Sequence, residues 1–267
     1  MLMRDLYAPL IQGIVSWQDP DQKCDGSVPV PLVETDPASA QMIKYASNAF
    51  LAARISFINE IAGLCEKVNA DVKEVSRGMG FDPRIGHAYL EAGLGFGGPC
   101  LEKDLRALMT IAEDNGYETQ LLRAILQRNE RQLEQVMVKL RKLVGHLLHQ
   151  KTVAVFGAAF KAGTDDVRNS LALKVIGRLE KEGVAVRVHD PEARIPSLNI
   201  VVCEDPYEAV SDADALLILT EWPCFKELDY REIKARMAHA SILDARNLLN
   251  AETVRQLGFT YVGIGSP

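Results

Sequence analysis

Two spacings of hydrophobic residues divide the chain. Residues 1–12 read as a short amphipathic helix, and residues 13–34, rich in Gly, Pro and Asp, as a connector ending in the extended run Val28-Pro-Val-Pro-Leu-Val33. At Thr35-Asp36-Pro37 an aspartate able to cap a helix precedes a proline suited to the first turn, where a missing N–H costs nothing. From there Ile43, Ala46, Phe50, Ala53, Phe57, Ile61, Leu64 and Val68 recur every three or four positions, which predicts one long helix burying an apolar stripe. Ala46, Ala49, Ala52 and Ala53 would admit a partner helix at close range. A similar stripe through Leu122, Ile125, Leu133, Val136 and Leu140 predicts a second long helix from Glu118 to Val144. With a shorter helix between them, the two suggest an all-helical domain over 35–148, suited to forming the core of a dimer.

At Lys151 the period changes. Thr152-Val-Ala-Val-Phe156 is a short buried-strand run, followed by a loop and the helical pattern Leu171 to Lys181, closed by Gly183. Further strands are predicted at Val184–His189, Asn199–Val202, Ala213–Thr220, Ser241–Asp244 and Thr260–Ile264, alternating with helical stretches. That alternation predicts a parallel sheet with helices on its faces over 149–267, and ligands in such sheets bind beyond the carboxyl ends of the strands.

Composition narrows the classes. Of 267 residues 48% are hydrophobic and 25% charged, enough apolar side chain for sizeable cores, which excludes a disordered chain. The net charge is −6 with Lys and Arg spread along the chain, which argues against nucleic acid as the main partner. Cys24, Cys65, Cys100, Cys203 and Cys224 are odd in number, with no CxxC spacing, so neither a disulfide framework nor a metal site is indicated and a reducing cytoplasm fits best. The N-terminus has the wrong pattern for a signal peptide, and no stretch reaches the length of a membrane span.

The segment Gly93-Leu-Gly-Phe-Gly-Gly-Pro-Cys100-Leu-Glu-Lys103-Asp104 is the richest in candidate chemistry. Its glycines permit close approach of backbone to a ligand, and Pro99 opens a helix, so Cys100 sits near a helix N-terminus, where the dipole and Lys103 favour a thiolate. Asp104, one turn on, suggests a general base for water. The bland reading is a glycine turn before a helix whose cysteine merely packs. Lys44 and Asn48, one turn apart, either stabilise an oxyanion in a cleft or form a solvated helix face. In the loop after the first strand, Phe160, Lys161 and Arg168 could bind a sugar or base and a diphosphate, or belong to an ordinary surface loop. Asp190-Pro191 could read a ribose hydroxyl or make a plain turn.

Together, Ile43-Lys-Tyr-Ala-Ser-Asn48-Ala-Phe-Leu-Ala, Ser56-Phe-Ile-Asn-Glu60, Gly95-Phe-Gly-Gly-Pro-Cys-Leu-Glu-Lys-Asp104, Phe160-Lys-Ala-Gly-Thr-Asp-Asp-Val-Arg168 and Asp244-Ala-Arg-Asn247 resemble the UDP-glucose/GDP-mannose dehydrogenase family. The resemblance implies a helical dimerisation domain followed by a Rossmann-like domain that binds the UDP-sugar. It also implies an oxidoreductase that converts UDP-glucose to UDP-glucuronate by two hydride transfers to NAD. Carried over by motif, Cys100 is the nucleophile forming a thiohemiacetal and then a thioester, with Lys44, Asn48 and Asp104 as its catalytic partners. Phe96, Gly97, Lys103, Phe160, Lys161 and Arg246 fall on the substrate side and Arg168 on the cofactor side. Arg84 matches the arginine that reaches a neighbouring subunit's substrate, which implies a homodimer. Pro99 and Leu101-Glu102 depart from the usual residues around the cysteine, and no GxGxxG follows any predicted strand. Residues 1–34 therefore read as the end of an NAD-binding domain and a connector, and the chain as the remaining two-thirds, inactive toward NAD alone. The alternative is a non-catalytic nucleotide-sugar-binding or dimer-scaffold protein. A thiol enzyme needing no NAD is disfavoured, because only His87 lies near Cys100 in sequence.

Overall fold

The computed structural model describes residues 2–12, 30–195 and 199–266. Most of the predicted connector, residues 13–29 with Cys24, lies outside the described residues. The chain divides into two compact units, Met1–Lys44 and Tyr45–Pro267. In the first, α1 (Leu2–Ile11) buries no residue, and Arg4 pairs with Glu34 at 2.5 Å. Helix α2 (Pro37–Val68) starts as the sequence predicts: Asp36 Oδ1 accepts from the Ser39 N–H at 2.9 Å, and its other oxygen from the Ser39 hydroxyl at 2.7 Å.

The second unit takes the rest of α2, then α3 (Val72–Gly80), α4 (Leu101–Asp114), α5 (Gln120–Val144) and six strands with their intervening helices. The long helices fall where the periodicity puts them, but the buried face of α2 is a different one. Phe50, Phe57, Leu64 and Val68 are exposed, whereas Asn48, Ala49, Ala52, Ser56, Asn59 and Ala62 are buried. Small residues let α5 and a loop come close: the Ser56 hydroxyl donates to the Ile125 carbonyl at 3.0 Å. The large side chains are left on the outer face, with Phe50, Phe57 and Leu64 spaced by seven residues.

Strands β1 (Thr152–Phe156), β2 (Ala185–His189), β3 (Val201–Val202), β4 (Ala215–Ile218), β5 (Ser241–Asp244) and β6 (Thr260–Val262) form one parallel sheet in the order β3-β2-β1-β4-β5-β6. This is the doubly wound order, with the switch point between β1 and β4. Alternate residues of β1 face opposite cores. Val153 and Val155 pack with α6 (Leu171–Lys181), with Met137 and Leu140 of α5, and with Ile58 and Ala62 of α2. Ala154 and Phe156 pack with Phe225, Ile233 and Val254 on the other side. Because one core runs from α2 and α5 into the sheet, the ends of β1, β4 and β5 are fixed against the helical part.

Asp244, fully buried at the end of β5, orders the next turn. It accepts from the Leu249 and Arg246 N–H groups at 2.8 and 3.0 Å and from the Tyr261 hydroxyl at 2.9 Å. Asn247 in that turn donates to the Ala92 carbonyl at 3.1 Å, joining it to the chain just before the glycine loop. Among the described residues, no helix is long and apolar enough to cross a membrane, and no group of three His, Cys, Asp or Glu side chains could hold a metal ion.

Candidate functional site

The glycine loop 93–98 is held on its helical side by three buried amides. Gly93 donates to Asn59 Oδ1 at 2.9 Å and its carbonyl accepts from Gln132 Nε2 at 2.6 Å. Asn129 clamps Phe96 twice, accepting from its N–H at 2.8 Å and donating to its carbonyl at 2.9 Å. Loop backbone buried without such partners would forfeit hydrogen bonds made in water, and the amides would be equally costly alone. The sequence signal for them is that Asn129 and Gln132 interrupt the apolar stripe of α5.

On its other side the loop meets the sheet domain. Gly98 has φ +81°, and a Cβ there would stand 2.6 Å from the Phe160 ring. Gly95 has φ +105°, with the Asn129 side chain filling the space of its Cβ. Gly97 lies against the Asn169 carbonyl. The glycines thus serve close packing within the chain, where the sequence suggested room for a ligand. Phe96 likewise turns its ring inward, among Ala49, Ala52, Leu105 and Ile125, so its ring is not offered to a sugar.

Held in this way, the loop delivers Cys100 to the N-terminus of the 14-residue α4. Cys100 is exposed rather than packed, and its side chain makes no capping hydrogen bond. One turn on, Asp104 is buried. Its Oδ2 accepts from Asn48 Nδ2 at 2.5 Å, and its Oδ1 pairs with Lys103 Nζ at 2.7 Å. A carboxylate this deep is tolerable because it is paired, and hydrogen bonding and charge from Asp104 hold the Lys103 ammonium above its ordinary value. Lys103 and Arg168 both lie near enough to Cys100 for their charges to interact with it. Arg168 is itself braced by Asp166, to which its Nε and Nη2 donate at 3.0 and 2.7 Å.

Two further residues of the sheet domain close on the loop. Lys161 Nζ stands 5.7 Å from the centre of the Phe160 ring that covers Gly98. Arg246 donates to the Leu219 carbonyl at 2.7 Å, pairs with Glu221 at 3.1 Å and reaches the Gly95 carbonyl at 3.4 Å, tying strand end to glycine loop. Cys100, Asn48, Lys103, Asp104, Phe160, Arg168 and Arg246 are therefore joined through this loop and its contacts. Lys44 precedes Asn48 by one turn of α2 and belongs to the first unit. Arg84 is exposed beyond α3 and forks onto Asp82 at 3.0 and 2.6 Å, outside this set.

The loop after β1 also differs from the sequence reading. The Ala158 and Ala159 N–H groups, aimed where a doubly wound sheet meets a diphosphate, donate to Asp190 Oδ2 at 2.7 and 3.0 Å. Trp222 Nε1 donates to the same oxygen at 3.2 Å, and the Glu192 and Ala193 N–H groups to Oδ1 at 3.0 and 2.8 Å. An internal carboxylate occupies the anion position, so Asp190 makes a structural turn and is not offered to a ribose.

Residues 38–131 match the family model described as UDP-glucose/GDP-mannose dehydrogenase family, central domain, and residues 154–251 the UDP binding domain of the same family. The chain is 44% identical over 243 residues to the UDP-glucose 6-dehydrogenase TuaD of Bacillus subtilis, covering 89% of this chain and 52% of that protein. It is 44% identical over 238 residues to the UDP-glucose 6-dehydrogenase of Pseudomonas aeruginosa, covering 85% and 52%. The chain thus spans about half the length of these curated relatives. A UDP-glucose dehydrogenase structure from the hyperthermophilic archaeon Pyrobaculum islandicum superimposes with TM-score 0.83 at 31% identity, covering all of this chain and 56% of that one.

Burial alone would push the Asp190 carboxyl up, but its four backbone N–H partners outweigh burial and hold it below the usual carboxylate range. A group depressed in the folded state contributes stability above its unfolded value, about pH 4, and that contribution fades as pH falls through the folded value. Asp190→Asn is expected to lower the unfolding free energy at pH 7 by about 1–3 kcal/mol and to flatten its decline below about pH 4. Urea unfolding of both proteins between pH 3 and 7 checks this, and parallel pH profiles would contradict it.

Proposed function

The chain belongs to the UDP-glucose/GDP-mannose dehydrogenase family, and we propose that it carries the nucleophile and the sugar-nucleotide site of a UDP-glucose 6-dehydrogenase. The observation that carries this reading is an exposed Cys100 at the head of α4, one turn before the buried Asn48–Asp104 pair to which the exposed Lys103 is bridged, and near Arg168. Cys100, Lys44, Asn48 and Asp104 together favour this reading over a protein that only binds or scaffolds, which would need none of them. In the proposed division of labour, residues 35–148 supply the nucleophile and 149–267 hold the UDP-sugar.

The chemistry assigned to these residues begins once the C6 alcohol has become an aldehyde. Cys100 Sγ adds to C6, forming a C–S bond and placing negative charge on the carbonyl oxygen, a thiohemiacetal after protonation. The second Nδ2 hydrogen of Asn48 stabilises that oxygen. Loss of hydride from C6 leaves a thioester. Water then adds to it, the C–S bond breaks, the carboxylate departs and the sulfur recovers its proton. Asp104, with both oxygens engaged, fixes Asn48 and Lys103 while favouring proton loss from the water. NAD would supply the hydride acceptor for this chemistry. The amides after β1 are filled by Asp190 and form no cradle for a diphosphate; Arg168, which the family pattern assigned to the cofactor, is given to the substrate side because it lies near Cys100. Lys161 and Phe160 take the sugar nucleotide, and Arg246 holds the loop that presents it. Phe96 and Gly97 contribute through the position of their backbone. The reduced thiol this requires fits a cytoplasmic setting.

The outer face of α2, with Phe50, Phe57 and Leu64 in heptad spacing, is proposed to pair with a second copy, bringing Arg84 to the partner's site.

Calorimetric titration with UDP-glucose and GDP-mannose side by side tests the substrate. One-to-one binding of UDP-glucose, about tenfold or more tighter than GDP-mannose (1.4 kcal/mol), is expected, and the reverse order or binding of neither contradicts it. In the same samples iodoacetamide should label Cys100 ahead of Cys224, whose thiol burial pushes up, and UDP-glucose should slow that labelling. Equal rates at the two cysteines would remove the nucleophile. Sedimentation at low micromolar concentration should show two chains, and Phe57→Glu one; a monomeric wild type rules out the α2 interface.

A further inference from the structure

A cleft of about 620 Å³ lies between α2, α5 and the β6 edge of the sheet, lined by none of the residues assigned above to substrate or catalysis. One face of α5 provides Arg128, Arg131, Lys139 and Lys142, and α2 provides Lys67 across from them. Two carboxylates share the wall. Glu66 is spent on Lys139 Nζ at 2.8 Å and on the Gly265 N–H at 2.8 Å, and Glu60 acts on Arg128. Among the described residues, Arg131, Lys142 and Lys67 of this wall make no ion pair with either of its carboxylates.

Charged residues at helical spacing usually mark a solvated face, but three observations separate this one. The volume lies in the range of small-molecule sites, about 300–1,000 Å³. Arg128 is half-buried and its guanidinium is held below its ordinary value, first by burial and also by the charge of Arg131 beside it, so an anion between the two would relieve both effects. Gln132, 1% exposed and part of the lining, donates both amide hydrogens, to Asn59 Oδ1 at 3.1 Å and Gly93 O at 2.6 Å, while its Oε1 receives no hydrogen bond. That acceptor calls for an O–H or N–H donor, which an alcohol hydroxyl supplies without giving up a phosphate oxygen to protonation.

We propose that this cleft is a second binding site, for a phosphorylated polyol whose phosphates lie on Arg128, Arg131 and Lys142 and one of whose hydroxyls donates to Gln132 Oε1. Guanidinium forks suit phosphate oxygens, and the surplus of cations suits a ligand carrying more than one negative charge. Gly63 of α2 keeps the cleft open: a Cβ there would stand 4.0 Å from Arg128 Nη2, so a larger side chain projects into the space without disturbing the helix.

The probe is fructose 1,6-bisphosphate, with inorganic pyrophosphate as the compound lacking alcohol hydroxyls. In calorimetry of the full chain, saturable one-to-one binding of the bisphosphate is expected, with pyrophosphate weaker. Affinity should fall at least about tenfold in the exposed double variant Arg131→Ala/Lys142→Ala and again in Gly63→Met, which blocks the space with the charges left in place. Absence of bisphosphate binding at millimolar concentration, affinity unchanged in both variants, or pyrophosphate binding as tightly would each overturn the proposal. The substitutions leave Cys100, Asp104 and the loop after β1 untouched, so the outcome is independent of the UDP-glucose reading.

Discussion

A glycine-rich segment has few side chains with which to fix itself, so its conformation must be imposed by neighbours that hydrogen-bond its backbone. Here Asn59, Asn129 and Gln132 reach from α2 and α5 to Gly93 and Phe96, and Arg246 and Asn169 reach from the sheet domain to Gly95 and Gly98. The exposure of Cys100, the burial of Asp104 and the closeness of Arg168 all follow from where this loop ends. Both walls are needed, which explains why the core of α2 and α5 is continuous with one face of the sheet.

Much of this architecture was legible in the residues. Asp36-Pro37 announced the start of α2, and the alternation after Lys151 yielded all six strands. Orientation was harder to read. The large apolar side chains of α2 suggested its buried face, but Ala52, Ser56 and Ala62 are the ones that let backbone approach backbone, and Phe50 and Phe57 are left outside. Periodicity identifies a stripe without saying which of two neighbours, one within the chain or one beyond it, will cover it.

The candidate site was legible as a set of residues and less so as a set of roles. Spacing put Cys100, Lys103 and Asp104 on one helix turn, while the contact between Asn48 and Asp104, 56 residues apart, is tertiary. The glycines, Phe96, Asp190 and Arg246 turned out to shape and brace the site from within. In each case local sequence shows a residue able to meet a ligand, while the tertiary structure provides an internal partner first: Phe160 over Gly98, the β1 amides on Asp190, the Leu219 carbonyl on Arg246. The proposed dehydrogenase chemistry rests on family membership and on a thiol presented at a helix terminus one turn before a paired, buried carboxylate.

If the buried amides hold the glycine loop as one unit, hydrogen exchange of the loop amides in the wild type and in Asn129→Ala will show it. The Gly93, Phe96 and Gly98 amides should exchange slowly together in the wild type, and all three should speed up at least about tenfold in the variant. Acceleration confined to Phe96, or rapid exchange of the loop in the wild type, would contradict it.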